Sequence, residues 1–144
     1  MISKEKLQDF SPKFVAVGCK LEYDGKILLL RRNKLGTGYQ QWGSCGGKVD
    51  DEENPEDAIA REIFEEASIK IDKKRLIHIG RYYVSYPEYD FVYHVYKYVL
   101  ESEPTIILNP REHSEHKWLT PSEALKQDLM KDEDFCIMQT YNIK

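Results

Sequence analysis

The sequence predicts an α+β fold in which a mixed β-sheet lies between helices, an α/β/α sandwich built as a single domain over residues 1–144. Three observations predict it. Two β-favouring stretches precede one uninterrupted helical segment, two more follow it, and a helix-start signal opens the last quarter of the chain. A chain of 144 residues can bury a stable core of its own.

The elements follow in order. Residues 14–23 favour strand, and Asp24-Gly25 marks a tight hairpin turn into a second strand at 26–32. Residues 33–45, with Gly36, Gly38 and Gly43, read as a loop. A helix is expected at 55–67, because Pro55 suits a first turn, Asn54 is a ready N-cap and nothing breaks the run before Ala67. Residues 76–86 and 91–101 form a second strand pair around Pro87-Glu88. Seven of the ten tyrosines fall between Tyr82 and Tyr98 without a basic stripe alongside, so core packing is expected rather than stacking on RNA bases. The run from Phe91 to Tyr96 is apolar on both faces, as in a central strand covered on each side. Residues 116–119 read as a short strand, and Thr120-Pro121-Ser122-Glu123 as a helix start. A closing helix from 132 to about 141 would have Asp132 as its N-cap.

Composition excludes several classes of function. A net charge of −4 argues against a nucleic-acid polymer as partner. Cys19, Cys45 and Cys136 are odd in number and scattered, so neither a disulfide framework nor a zinc site is expected and a reducing cytoplasm is the default. The polar start excludes a signal peptide, and no apolar run is long enough for a membrane span. His78, His94, His113 and His116 share no ligand spacing and read as structural or surface groups. A homodimer is left open.

The charge pattern of the predicted helix carries the most information. Between Asp50 and Glu66 lie nine acids and a single base, Arg61, while the rest of the chain is net basic. Ile59, Ile63, Ala67, Ala60 and Phe64 share an apolar arc, with Ala58, Glu62, Glu65 and Glu66 on the neighbouring one. Glu62, Glu65 and Glu66 stand at i, i+3 and i+4, so their carboxylates converge and repel. An ordinary surface helix interleaves Lys and Arg among its acids. This one concentrates oxygen donors, which suits hard cations such as Mg²⁺ or Mn²⁺ rather than zinc. No Asp-x-Asp-x-Asp-Gly loop precedes the glutamates, which excludes an EF-hand.

The stretch from Gly46 to Ile69 resembles the Nudix signature, Gly-x5-Glu-x7-Arg-Glu-U-x-Glu-Glu-x-Gly-U with U aliphatic. Gly47, Glu53, Arg61, Glu62, Ile63, Glu65, Glu66 and Ile69 match it, and Ser68 replaces one glycine. The resemblance implies the Nudix fold and a Mg²⁺- or Mn²⁺-dependent hydrolase that splits a nucleoside diphosphate linked to a moiety X. It places Glu62, Glu65 and Glu66 on the metal, with Gly46 beside them, and gives Glu53 and Arg61 an orienting role. Gly47 would let the backbone pass close to metal-bound phosphate. The segment 111–119 resembles the MutT-like loop in which a Glu six residues before the Trp joins the site, here Glu112, with Glu115 as competitor. Whether Glu62 or Glu112 takes the proton from water stays open.

On the substrate side, Arg32 matches a strand-end phosphate-binding arginine, and the loop through Trp42 resembles that of nucleotide-sanitising members. In members that act on 8-oxo-dGTP an Asn follows that Trp, where this chain has Gly43. Those members also use two adjacent acids, matched in part by Asp132-Glu133. The resemblance therefore favours a MutT-like (d)NTP pyrophosphohydrolase of the 8-oxo-dGTP type. Hydrolysis of ADP-ribose or a nucleotide sugar is the alternative within the class, and a non-catalytic nucleotide-sensing module the alternative outside it. Cys45 where many members carry Pro, and Glu52 where Gly is usual, are further departures.

Overall fold

The long strand β2 (Pro12–Tyr23) is buried on both sides, and its neighbours divide between two cores. In the computed structural model, which describes residues 1–144, Val17, Cys19 and Leu21 join Ala58, Ile59, Ile63 and Ala67 of helix α1 (Pro55–Ala67) in one core. Strand β3 (Lys26–Arg32) contributes Leu28 and Leu30 to that core. Its alternate residues Ile27 and Leu29 pack on the opposite face with Ala124 of α2 (Pro121–Ala124) and Ile137 of α3 (Glu133–Tyr141). A sheet whose alternate residues meet different helices is the sandwich that the sequence predicts. No helix is long and apolar enough to cross a membrane.

The remaining strands are β1 (Ile2–Ser3), β4 (Trp42–Gly43), β5 (Cys45–Lys48), β6 (Ile77–Ser85), β7 (Asp90–Val99) and β8 (His113–Leu119). The main sheet runs β1-β6-β7-β2-β3-β4, with β2 parallel to β7 and the other pairs antiparallel, so the sheet is mixed. β2 and β3 pair only beside their turn, at Glu22–Ile27 and Tyr23–Lys26. β4 continues on β3 and β5 on β2, so the short β4–β5 stretch bridges the two strands where they no longer pair with each other.

Three expectations need correction. Residues 33–45 are not loop throughout, because β4 and the first residue of β5 lie within them. The late strand begins at His113 rather than 116, its polar residues being paired along β3. In α1, Phe64 is 48% exposed, whereas Ala58 and Glu66 are buried. The inward face is therefore rotated toward the acids, because one glutamate is packed against the sheet.

The cysteines are free and buried, Cys19 and Cys45 facing each other across β2 and β5. The face under α3 holds a buried ion pair that the sequence did not reveal. Lys20 is fully buried, and its Nζ donates to Glu133 Oε2 at 2.5 Å. Burial opposes the ammonium charge, but Glu133 and the neighbouring Cys136 outweigh it and raise the Lys20 pKa. Breaking such a pair leaves one charge buried alone. Lys20→Met is expected to destabilise the protein by about 3–5 kcal/mol, and Lys20→Met with Glu133→Gln to recover much of that. Denaturant unfolding checks it; equal losses in the single and double variants would contradict it.

Candidate active site

Helix α1 starts where its sequence dictates. Asn54 Oδ1 accepts the Asp57 N–H at 2.8 Å and Pro55 fills the first turn. The helix ends at Ser68, which adopts φ 60° and donates its N–H to the Phe64 carbonyl. Ser68 thus takes the left-handed conformation that the motif's glycine would take, at a cost of about 1 kcal/mol. Its hydroxyl donates to the Ile107 carbonyl at 3.1 Å, which offsets part of that cost.

Arg61 gathers the acids around it. Its Nε and Nη2 donate to the two oxygens of Glu53, each at 3.0 Å, in a bidentate fork. Its Nη1 donates to Glu62 Oε1 at 2.9 Å and lies 3.3 Å from Glu65 Oε2. The fork, with help from the Asp50 N–H, holds the Glu53 carboxyl below the usual carboxylate range. Glu53 is therefore a firmly ionised anchor for Arg61, which in turn orients Glu62 and Glu65.

Glu66 faces the sheet. It is 4% exposed, Oε1 accepts the Gly46 N–H at 2.8 Å, and Oε2 lies 3.6 Å from His113 Nε2. Ligand atoms of Glu66, Glu112 and His113 all come within 4.8 Å of one another. Burial raises the Glu66 carboxyl well above its ordinary pKa; the Gly46 N–H opposes this, while Glu62, Glu112 and Glu65 add to it. Glu62 is raised as well, by burial first, against the pull of Arg61, with Glu65 and Glu112 adding repulsion. Burial pushes the His113 imidazole down despite Glu112, so its contact with Glu66 at neutral pH is not an ion pair.

Both glycines of the motif serve close packing. A Cβ on Gly46 would lie 2.3 Å from the Val17 carbonyl oxygen, and one on Gly47 2.4 Å from Glu62 Oε1. Strand β5 is pressed between β2 and α1: at position 46 the backbone of β2 excludes any side chain, and at position 47 a side chain would displace the Glu62 carboxylate. The Gly46 N–H donates to Glu66, so the backbone expected beside the metal and the phosphate is tied to the helix carboxylates.

The later residues divide clearly. Glu112 joins the cluster, whereas Glu115 is bound to Arg31 Nη1 at 2.8 Å. Arg32 lies opposite His113 in the β3–β8 register, and its buried Nε has no hydrogen-bond partner. Trp42 is 7% exposed and packs in the α2–α3 core, which leaves its ring little surface to offer a base. Asp132 occupies the N-cap position of α3 but makes no capping bond; it has φ 66°, and its carboxylate accepts from the Tyr86 hydroxyl at 2.9 Å. Glu133, next to it, accepts the Ser44 N–H at 2.5 Å. Sequence reasoning missed His113, because it arrives from a distant strand with no local spacing. Its position directly after Glu112 was the available signal.

The donors suit a divalent cation. Glu62, Glu65, Glu66 and Glu112 put carboxylates around a site where Arg61 is the nearest bound counter-charge, and the buried ones resist ionisation without another.

The comparisons with known proteins agree with this geometry. A family model described as the NUDIX domain matches residues 12–141. The CTP pyrophosphohydrolase of Escherichia coli strain K12 is 31% identical over 116 residues, covering 78% of this chain and 80% of that protein. A MutT NUDIX hydrolase from Burkholderia pseudomallei superposes with a TM-score of 0.77 at 28% identity, covering 88% of this chain and 96% of that one. The NUDIX domain of Shewanella oneidensis NrtR, solved with ADP ribose, has the same fold, with a TM-score of 0.78 at 19% identity over 96% of this chain and 92% of that one. The chain belongs to the NUDIX family. It is a MutT-like hydrolase of phosphoric anhydrides that acts on nucleoside diphosphate-linked compounds.

The raised carboxyls have a consequence in metal-free protein. Protons that Glu62 and Glu66 hold in the folded state favour folding below the ordinary carboxylate range, and this contribution is lost as pH rises through their higher folded values. In chelator, Glu66→Gln is expected to raise Tm at neutral pH and to narrow its advantage as pH falls. A melting curve for Glu66→Gln that tracks the parent at every pH would contradict this. Glu112→Gln is expected to lower kcat by about a hundredfold, a loss on the scale of one main electrostatic contributor, and Glu115→Gln far less. The reverse order in steady-state kinetics would overturn the assignment of Glu112.

Proposed function

We propose that this chain is a Mg²⁺-dependent pyrophosphohydrolase of nucleoside triphosphates, with Mn²⁺ able to substitute, releasing a nucleoside monophosphate and pyrophosphate. The observation that carries the reading is Arg32. Its buried Nε lacks a partner beside the Glu112–His113 end of the carboxylate cluster, and a phosphate oxygen would satisfy it. Glu62, Glu65, Glu66 and Glu112 would hold the metal, which when bound neutralises the anhydride and activates a water. Arg61 and Glu53 keep the helix carboxylates in place, and Glu62 or Glu112 accepts the proton of the attacking water. The free thiols of Cys19, Cys45 and Cys136 support a cytoplasmic setting.

For the base, 8-oxo-dGTP is the purine this chain is suited to select, with the Asp132 carboxylate accepting from the N7–H that guanine lacks. Tyr86 already orients that carboxylate. CTP is the second reading, supported by the 31% identity to the E. coli CTP pyrophosphohydrolase.

A substrate panel separates the readings. Turnover is expected with Mg²⁺ or Mn²⁺ and none in excess EDTA, with pyrophosphate as product. A kcat/KM for 8-oxo-dGTP above that for dGTP, eroded by Asp132→Ala, supports the purine reading. A preference for CTP supports the second. ADP-ribose or a nucleotide sugar as the best substrate would overturn the triphosphate proposal.

A further inference from the structure

A second group of side chains whose chemistry suits a metal ion stands apart from the carboxylate cluster. A pocket of about 510 Å³ lies where the first turn of α1 meets β6 and β7, and His78, His94, Tyr96 and Glu56 line it. His78 on β6 is the register partner of Tyr96 on β7, and His94 sits two residues before Tyr96. His78 Nε2 and His94 Nδ1 are 3.0 Å apart and share a hydrogen bond, one ring donating its N–H to the other. Two nitrogens that each bind one metal ion at about 2.0–2.1 Å end roughly 2.9–3.4 Å apart for angles from right to tetrahedral. The observed separation falls in that window, so an ion entering the pair takes the place of the proton the two rings share, and that proton is released to solvent. Both imidazoles are braced by the Tyr96 ring, at 5.2 and 6.4 Å between centroids. The Tyr96 hydroxyl donates to Glu56 Oε2 at 2.6 Å and so fixes a carboxylate in the same pocket. The pocket's one lysine, Lys73, is ion-paired with Asp57.

We propose that His78 and His94 together bind a first-row transition-metal ion of the Zn²⁺ type, with the Glu56 carboxylate as its charge partner. Imidazole pairs favour such ions, whereas the catalytic carboxylates favour Mg²⁺, so the two sites differ in chemistry as well as place. An ion here ties the β6–β7 hairpin to the first turn of the catalytic helix. Tyr96 acts as a positioning residue, since its hydroxyl aims Glu56.

Calorimetric titration of the full chain with Zn²⁺, in excess Mg²⁺ to occupy the carboxylate cluster, tests the assignment. The parent is expected to take up Zn²⁺ with a rise in Tm; His78→Gln and His94→Gln are expected to lose both, and His113→Gln to keep both. Tyr96→Phe should weaken uptake about tenfold while the chain stays folded. Equal Zn²⁺ uptake by the parent and both variants at His78 and His94, no uptake by the parent, or loss in His113→Gln instead would overturn the proposal. The hydrolase reading is tested separately by turnover.

Discussion

The contact between the acidic face of α1 and strand β5 is the constraint on which the rest of the site depends. The Gly46 N–H meets the buried Glu66, and the Glu62 carboxylate lies in the space that a side chain at position 47 would take. Either requirement alone would be met by many sequences. Together they fix the depth at which the helix sits and turn its buried face toward the acids, leaving Phe64 in solvent. Arg61 completes the arrangement from the open side. A fork onto Glu53, one contact to Glu62 and longer contacts to both oxygens of Glu65 let one guanidinium hold these three carboxylates in register.

The result is a site that works against stability. Burial and mutual repulsion raise Glu62 and Glu66, so their ionisation costs the folded chain stability. The cation proposed for this cluster would relieve both penalties at once. Arg32 follows the same logic with opposite sign. A buried donor without an acceptor costs about 1–3 kcal/mol, and the phosphate proposed as its partner would remove that cost. Both halves of the site are thus strained toward their ligands before any ligand arrives.

Local signals explain what could be read from the sequence. The bounds of α1, its Asn54 cap and the acidic triad follow from residues a few positions apart, and the structure gives the same helix. The hairpin at Asp24-Gly25 and the capping box at Thr120 are equally local, and both are present. What stayed hidden depends on distant partners. β4 is two residues long and exists because β3 is beside it, so its glycine-rich sequence reads as loop. β8 is extended by register with β3, not by propensity, since His113 to His116 are mostly polar. Lys20 looks like an exposed charge on an alternating strand until α3 brings Glu133 over it. Asp132 reads as a cap by position, yet its backbone is left-handed and its side chain is drawn to Tyr86.

That last contact region connects the two faces of the sheet. Lys20 lies on β2 under α3, on the side away from the catalytic helix, and fixes one oxygen of Glu133. The other oxygen of Glu133 takes the Ser44 N–H. Ser44 is the link between β4 and β5, two residues before the Gly46 N–H that holds Glu66. The position of a carboxylate in the cluster on one face is therefore linked to an ion pair on the other, through the short strand β5, which β2 pairs along its whole length. A hydrophobic replacement of Lys20 and Glu133 would fill the same space, but it would leave the Ser44 N–H without an acceptor and the entry to β5 free to shift. The buried charge pair, costly as a source of stability, has a use here as a means of placing backbone: it carries the geometry of the α3 layer across the sheet to the Gly46 N–H and the carboxylate it meets.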